Sequence, residues 1–112
     1  MKLQKNFTTV EQSKRLLKLG VPANSADCCL RRVVEDSGDS EYWRIDIFSF
    51  IGEVYDDFLP CWSIGRLMEI FDICKREDVR ITFLMPSETI NYIDYLIDIL
   101  SCKWLDFSKL ED

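Results

Sequence analysis

The 112-residue chain contains no histidine. That removes Ser-His-Asp and Cys-His nucleophile pairs and every histidine-ligated zinc site. The five cysteines, Cys28, Cys29, Cys61, Cys74 and Cys102, include no C-x-x-C pair, so an all-thiolate zinc site lacks its usual spacing. Their number is odd and two are adjacent, unlike the even set of a secreted disulfide framework. They read as reduced, mostly buried, small hydrophobes. Gly20, Gly38, Gly52 and Gly65 are isolated, so there is no glycine-rich loop to cradle a phosphate. No stretch approaches the ~20 apolar residues of a membrane span; the longest apolar-rich segment, 90–100, is broken by Asn91, Asp94 and Asp98. The opening Met1-Lys2-Leu3-Gln4-Lys5-Asn6 is not followed by the apolar run of a secretory signal. These absences predict no cofactor, no metal, no membrane association and a cytoplasmic location.

The residues present suffice for a packed core: 47% are hydrophobic and 12% aromatic, and the length fits one domain. The net charge of −6 is unevenly spread. Residues 1–32 carry seven Lys or Arg against Glu11 and Asp27, a net of +5, and the remainder carries −11. An acidic protein is a poor general ligand for nucleic acid, whose binding rests on neutralising phosphates. A basic arm on an acidic body can still touch a phosphate backbone or an acidic partner.

Thr8, with Glu11 three residues on, predicts a capping box opening a first helix, which runs to about Leu19. Gly20 and Pro22 mark its end. Val10, Ser13, Leu16 and Leu17 share one face; Lys14, Arg15 and Lys18 lie mostly opposite, either as a solvated face or as a nucleic-acid contact. The segment from Cys28 to Glu35 alternates as a strand, Asp36 to Ser40 is a turn signal, and Tyr42 to Ile51 predicts a second strand, together an antiparallel hairpin. Trp43, Ile45, Ile47 and Ile51 are expected on one side and Arg44, Asp46, Phe48 and Phe50 on the other. Residues 52–60 read as an acidic, aromatic connection. Ser63 predicts a cap for a second helix over about Ile64 to Lys75, with a stripe of Ile64, Leu67, Met68, Ile70, Phe71 and Cys74. Asp78 to Met85 alternates as a third strand, Pro86-Ser87-Glu88 opens a last helix reaching about Ser101, and the tail from Cys102 keeps enough apolar residues to dock. The expected fold class is α+β, order α-β-β-α-β-α: a small antiparallel or mixed sheet of about three strands with three helices. A first helix ending in Leu19-Gly20-Val21-Pro22 resembles the opening of a helix-turn-helix, but a strand pattern follows where the recognition helix should be.

Three clusters invite functional readings. The last helix is apolar nearly all round, leaving a strip of Asn91, Asp94, Asp98 and Ser101, which implies either burial between the sheet and another element or an interface using Tyr92, Tyr95 and Ile99. Trp62 with Arg66 one turn on is a frequent pairing at protein interfaces, and Trp is as readily a core plug. Glu53, Asp56 and Asp57 supply paired carboxylates for a hydrolase-like acid–base site or a hard cation, although their spacing matches no calcium loop.

Two segments carry a family resemblance. Asn6-Phe7-Thr8-Thr9-Val10-Glu11-Gln12-Ser13-Lys14-Arg15-Leu16-Leu17-Lys18-Leu19-Gly20-Val21-Pro22, continuing to Ala26-Asp27-Cys28, resembles the start of small uncharacterised proteins carried by prophages and other mobile elements of Bacteroides-type bacteria. Leu59-Pro60-Cys61-Trp62-Ser63-Ile64-Gly65-Arg66-Leu67 resembles their central Pro-x-Trp-Ser motif leading into a Leu-rich helix. The resemblance implies a phage-related setting and no particular activity. The expected function is therefore a non-enzymatic accessory protein that binds a protein partner or itself, with nucleic-acid contact through Lys14, Arg15 and Lys18 as the second reading and a hydrolase-like enzyme as the third.

Overall fold

The computed structural model describes residues 6–36, 38, 40–80, 82–83, 91–102 and 105–110. In chain order these form α1 (Val10–Leu19), β1 (Cys28–Val34), β2 (Glu41–Asp46), β3 (Phe58–Cys61), α2 (Ile64–Cys74) and α3 (Tyr92–Leu100), with short 3-10 turns at Ala23–Ser25 and Phe107–Leu110. The fold is α+β: three helices and one antiparallel sheet in the spatial order β2-β1-β3.

The capping box of α1 sits one residue later than its sequence signature suggests. Gln12 N–H donates to Thr9 Oγ1 (3.2 Å) and Thr9 N–H to Gln12 Oε1 (2.9 Å), so Thr9 and Gln12, rather than Thr8 and Glu11, form the box. Thr8 is buried and otherwise engaged: its N–H donates to Trp62 O and its hydroxyl accepts from Trp62 N–H, both at 3.0 Å. Gly20 closes α1 in the left-handed region (φ 101°), and Val21 N–H returns to Leu16 O, the closure that Gly permits at low steric cost.

The β1–β2 hairpin forms as expected, with Leu30 opposite Ile45 and Arg32 opposite Trp43. Ser37 and Asp39 of its turn lie outside the described residues. The second strand stops at Asp46 instead of running to Ile51. Phe48 N–H bonds back to Asp46 O (3.1 Å), a three-residue turn that interrupts the pleat. Beyond it Phe50 keeps to the Asp46 side of the sheet, as its alternation predicts, joins Cys29 in the core and stacks on Phe58 (centroids 4.9 Å apart), whereas Phe48, expected on the same side, is exposed and Ile47 and Ile51 face solvent.

The third strand is the largest departure. Phe58–Cys61, within and just after the segment read as a connection, pairs with β1, and the described part of the predicted 78–85 strand is irregular; Ile81, Leu84 and Met85 lie outside the described residues. Proline disguises β3, because it normally argues against a strand. Arg32 N–H donates to Asp57 O (2.9 Å), which sets the phase of the β1–β3 ladder. In that phase the Pro60–Cys29 rung exchanges no hydrogen bonds, so the missing N–H belongs to the side facing away from β1.

Ser63 caps α2 through Arg66 N–H (3.1 Å), and the Asp27 carboxylate holds Ser63 through its N–H (3.0 Å) and hydroxyl (2.5 Å). The buried side of α2 is Leu67, Ile70, Phe71 and Cys74, within the expected stripe. Asn91 caps α3; the predicted opening at Pro86-Ser87-Glu88 lies outside the described residues. The tail docks: Asp106 N–H donates to Cys74 O (3.0 Å), and Phe107 and Leu110 pack on the core.

Both faces of the sheet's base are covered. Cys29 and Phe50 join Trp62, α2 and α3 in the main core, and Cys28, Leu30, Leu59 and Cys61 pack with Phe7, Val10 and Trp43 on the other face. The hairpin continues beyond this cover. The radius of gyration is 15.0 Å, against roughly 13 Å for a compact domain of this length, and the principal extents are 55 × 37 × 20 Å.

Candidate interaction surface

The projecting hairpin has one open edge. Among the described residues, β1 is flanked on both sides, β3 carries Pro60, and β2 is bordered only by β1. Glu35 N–H donates to Ser40 O (3.0 Å), which identifies the hydrogen-bonded rungs of the hairpin. By the alternation of an antiparallel ladder, Tyr42, Arg44 and Asp46 bond to β1, and the N–H and C=O groups of Glu41, Trp43 and Ile45 point away from it. Such a row is a template for another strand.

Exposed apolar side chains are concentrated in the part of the chain that carries this edge. Among the described residues, eight of the nine large hydrophobic side chains that are exposed fall between Val34 and Tyr55, the ninth being Ile73. Ile47 and Ile51 are 69% and 81% exposed; Val34, Tyr42, Ile45 and Phe48 are also exposed. Isolated exposed hydrophobes are ordinary; a concentration on one arm marks a contact surface. On one face Arg31 and Arg44 stand opposite each other, with Asp46 between them, at 3.7 Å from Arg31 Nε and 3.0 Å from Arg44 Nε. Arg31 also lies over the Phe58 ring, 5.6 Å from its centroid.

The residues singled out from the sequence fall elsewhere. Trp62 is fully buried, its indole N–H donating to Ser25 Oγ (3.1 Å). Arg66 is half-buried, bonding through Nε to Ser25 O (2.7 Å) and pairing with Glu69. Tyr92 is buried, and Tyr95 and Ile99 are half-buried against the main core. Between sequence readings of burial and interface for α3, most of its apolar surface is used in burial, with Gln12 Nε2 of α1 reaching Asp94 (2.8 Å) across the join. Lys14 and Lys18 are exposed, and Arg15 pairs with Asp98 (2.5 Å). Glu53, Asp56 and Asp57 are exposed, with Tyr55 hydroxyl donating to Glu53 (2.8 Å). They do not line the concavity of about 420 Å³ beside the start of α2, whose charged side chains include Asp27, Arg66 and Glu69. Those three are engaged with Ser63, Ser25 and one another as described.

Four thiols are buried and Cys102 is half-buried. Desolvation pushes Cys28 up from 9.0 to about 12, with Asp27 reinforcing the shift, and Cys61 up to about 11. Cys29 and Cys74 are raised for the same reason. Such thiols are poor nucleophiles, because the thiolate is the reactive species. Among the described residues no cluster of three or more Cys, Asp or Glu is placed to hold a metal ion, and no helix is long and apolar enough to cross a membrane.

The surface residues Val34, Tyr42, Ile45, Ile47, Phe48 and Ile51 were not singled out by sequence reasoning, which placed the second strand's residues on two sides without marking either as a contact surface. The available signal was that both alternating faces from Tyr42 to Ile51 carry large apolar residues, more than a strand covered on one side requires. No family model, no curated protein and no solved structure matches the chain.

Proposed function

We propose that this chain is a non-enzymatic interaction protein whose contact surface is the open edge of β2 together with the apolar segment that follows it. The observation that carries this reading is the run of exposed large hydrophobes on β2 and just after it, Tyr42, Ile45, Ile47, Phe48 and Ile51, together with a strand edge that no described residue pairs. The buried, high-pKa thiols and the exposed Glu53, Asp56 and Asp57 supply no competing catalytic arrangement. A cytoplasmic phage or mobile-element accessory protein, the setting implied by the sequence resemblance, is the context of this reading.

The test is capture by a tagged chain at low and moderate salt, with nuclease treatment. A stoichiometric protein that survives both is expected for the wild type. The double variant Ile47→Asp, Ile51→Asp replaces two side chains that the fold leaves in solvent, so it keeps the fold and loses the partner. Undiminished capture by the folded variant contradicts the proposed surface.

A further inference from the structure

The open edge is self-complementary. Resting on the interaction reading, we propose that its occupant is a second copy of this chain, paired β2 to β2 in antiparallel register about a two-fold axis at Trp43.

Three observations lead there. First, Glu41, Trp43 and Ile45 present their N–H and C=O groups outward, as the Glu35–Ser40 bond requires. A two-fold pairing must therefore set outward residues opposite outward residues. The register centred on Trp43 does so, placing Glu41 opposite the second copy's Ile45 and exchanging roughly six backbone hydrogen bonds. Second, side-chain charge selects between this register and the equally long one centred on Arg44. The latter sets two guanidiniums directly opposite on the axis, which is destabilising. The Trp43-centred register sets Arg44 opposite Tyr42, a favourable cation–aromatic rung on the face where Tyr42 is half exposed, and puts the two indoles side by side on the other face. Third, the other edge is unsuited: Pro60 lacks an outward N–H, and residues 6–8 lie against the end of β3 through the Phe7–Ser63 bridge and the Thr8–Trp62 bonds. Pairing therefore closes as a dimer, giving one six-stranded sheet ordered β3-β1-β2-β2-β1-β3, with no edge left to propagate. Five overlapping residues per strand make a small interface, so dissociation in the micromolar range is expected.

The test is sedimentation velocity over roughly 1–100 µM, bracketing such affinities, on the wild type and three variants. Ile45→Pro deletes an outward N–H and no bond to β1; it is expected to stay folded by circular dichroism and to remain monomeric. Tyr42→Lys sets like charges opposite each other at the proposed rung and is expected to weaken dimerisation at least tenfold, and Tyr42→Lys with Arg44→Glu to restore it. In the Arg44-centred register Tyr42→Lys would instead face Asp46 and tighten the dimer. A wild type that stays monomeric throughout overturns self-pairing. So does a folded Ile45→Pro variant that still dimerises, and a tighter Tyr42→Lys dimer overturns the register. Partner capture by the wild type that Ile47→Asp, Ile51→Asp abolishes would, with a monomeric wild type, leave the interaction reading standing with a different occupant.

Discussion

Trp62 shows at the residue scale how one side chain fixes several elements. Its ring is fully buried, its indole N–H ends on Ser25, and its backbone bonds to Thr8 on both sides. Trp62→Phe keeps most of the ring volume but leaves Ser25 short of a donor, so a loss of about 1–3 kcal/mol is expected. Trp62→Ala adds a large cavity, for a loss of about 3–5 kcal/mol. Urea unfolding monitored by far-ultraviolet circular dichroism checks both. Tyr95→Asp, at a side chain half-buried against the main core, is expected to cost stability instead of acting only on association.

The thiols make a pH prediction at the same scale. A folded-state pKa above the unfolded value means that the folded chain resists losing that proton. The associated stability is complete below about 9, the ordinary thiol value, and is lost as pH rises toward about 11 for Cys61 and about 12 for Cys28. Thermal unfolding at pH 8 and pH 10 is expected to show a lower midpoint at pH 10. At pH 8 an aromatic disulfide reagent is expected to label Cys102 first, and the four buried cysteines only with unfolding.

At the scale of elements, the helices were legible where local chemistry decides. The Gly20 stop of α1, the Ser63 cap and the apolar stripe of α2 are written in short-range spacing. The cap of α1 was displaced by one residue because Thr8 is drawn into bonds with Trp62, a residue 54 positions away, which no local pattern records. Thr9→Ala is accordingly expected to cost about 1 kcal/mol as a lost cap. The exposed Arg15–Asp98 pair is worth less than about 1 kcal/mol, measurable by a double-mutant cycle. Strand β3 was hidden for a related reason. Pro60 is compatible with pairing only in the phase set by β1, and that phase depends on long-range contacts. The apolar surface was illegible because the strand ends at the turn from Asp46 to Phe48: Phe50 still reaches the core on the expected side, but Ile47 and Ile51 do not continue the covered face of Trp43 and are left in solvent.

The whole molecule divides its work between a packed base and a projecting arm. The base joins α1, α2, α3 and the lower sheet through two apolar clusters, and the arm carries the exposed hydrophobes and the free edge. A radius of gyration above that of a compact chain of equal length is the global trace of this division. In the proposed reading, the arm's cost in exposed apolar area is recovered when another strand covers it.

Residue-resolved amide exchange along β2, in the isolated chain and in its salt-resistant assembly, tests that claim most directly. The amides of Tyr42, Arg44 and Asp46 face β1 and are expected to be protected in both states. Those of Glu41, Trp43 and Ile45 are expected to exchange rapidly in the isolated chain and to become protected on assembly. Rapid exchange of these three in both states would contradict the account, because it would leave the open edge unused.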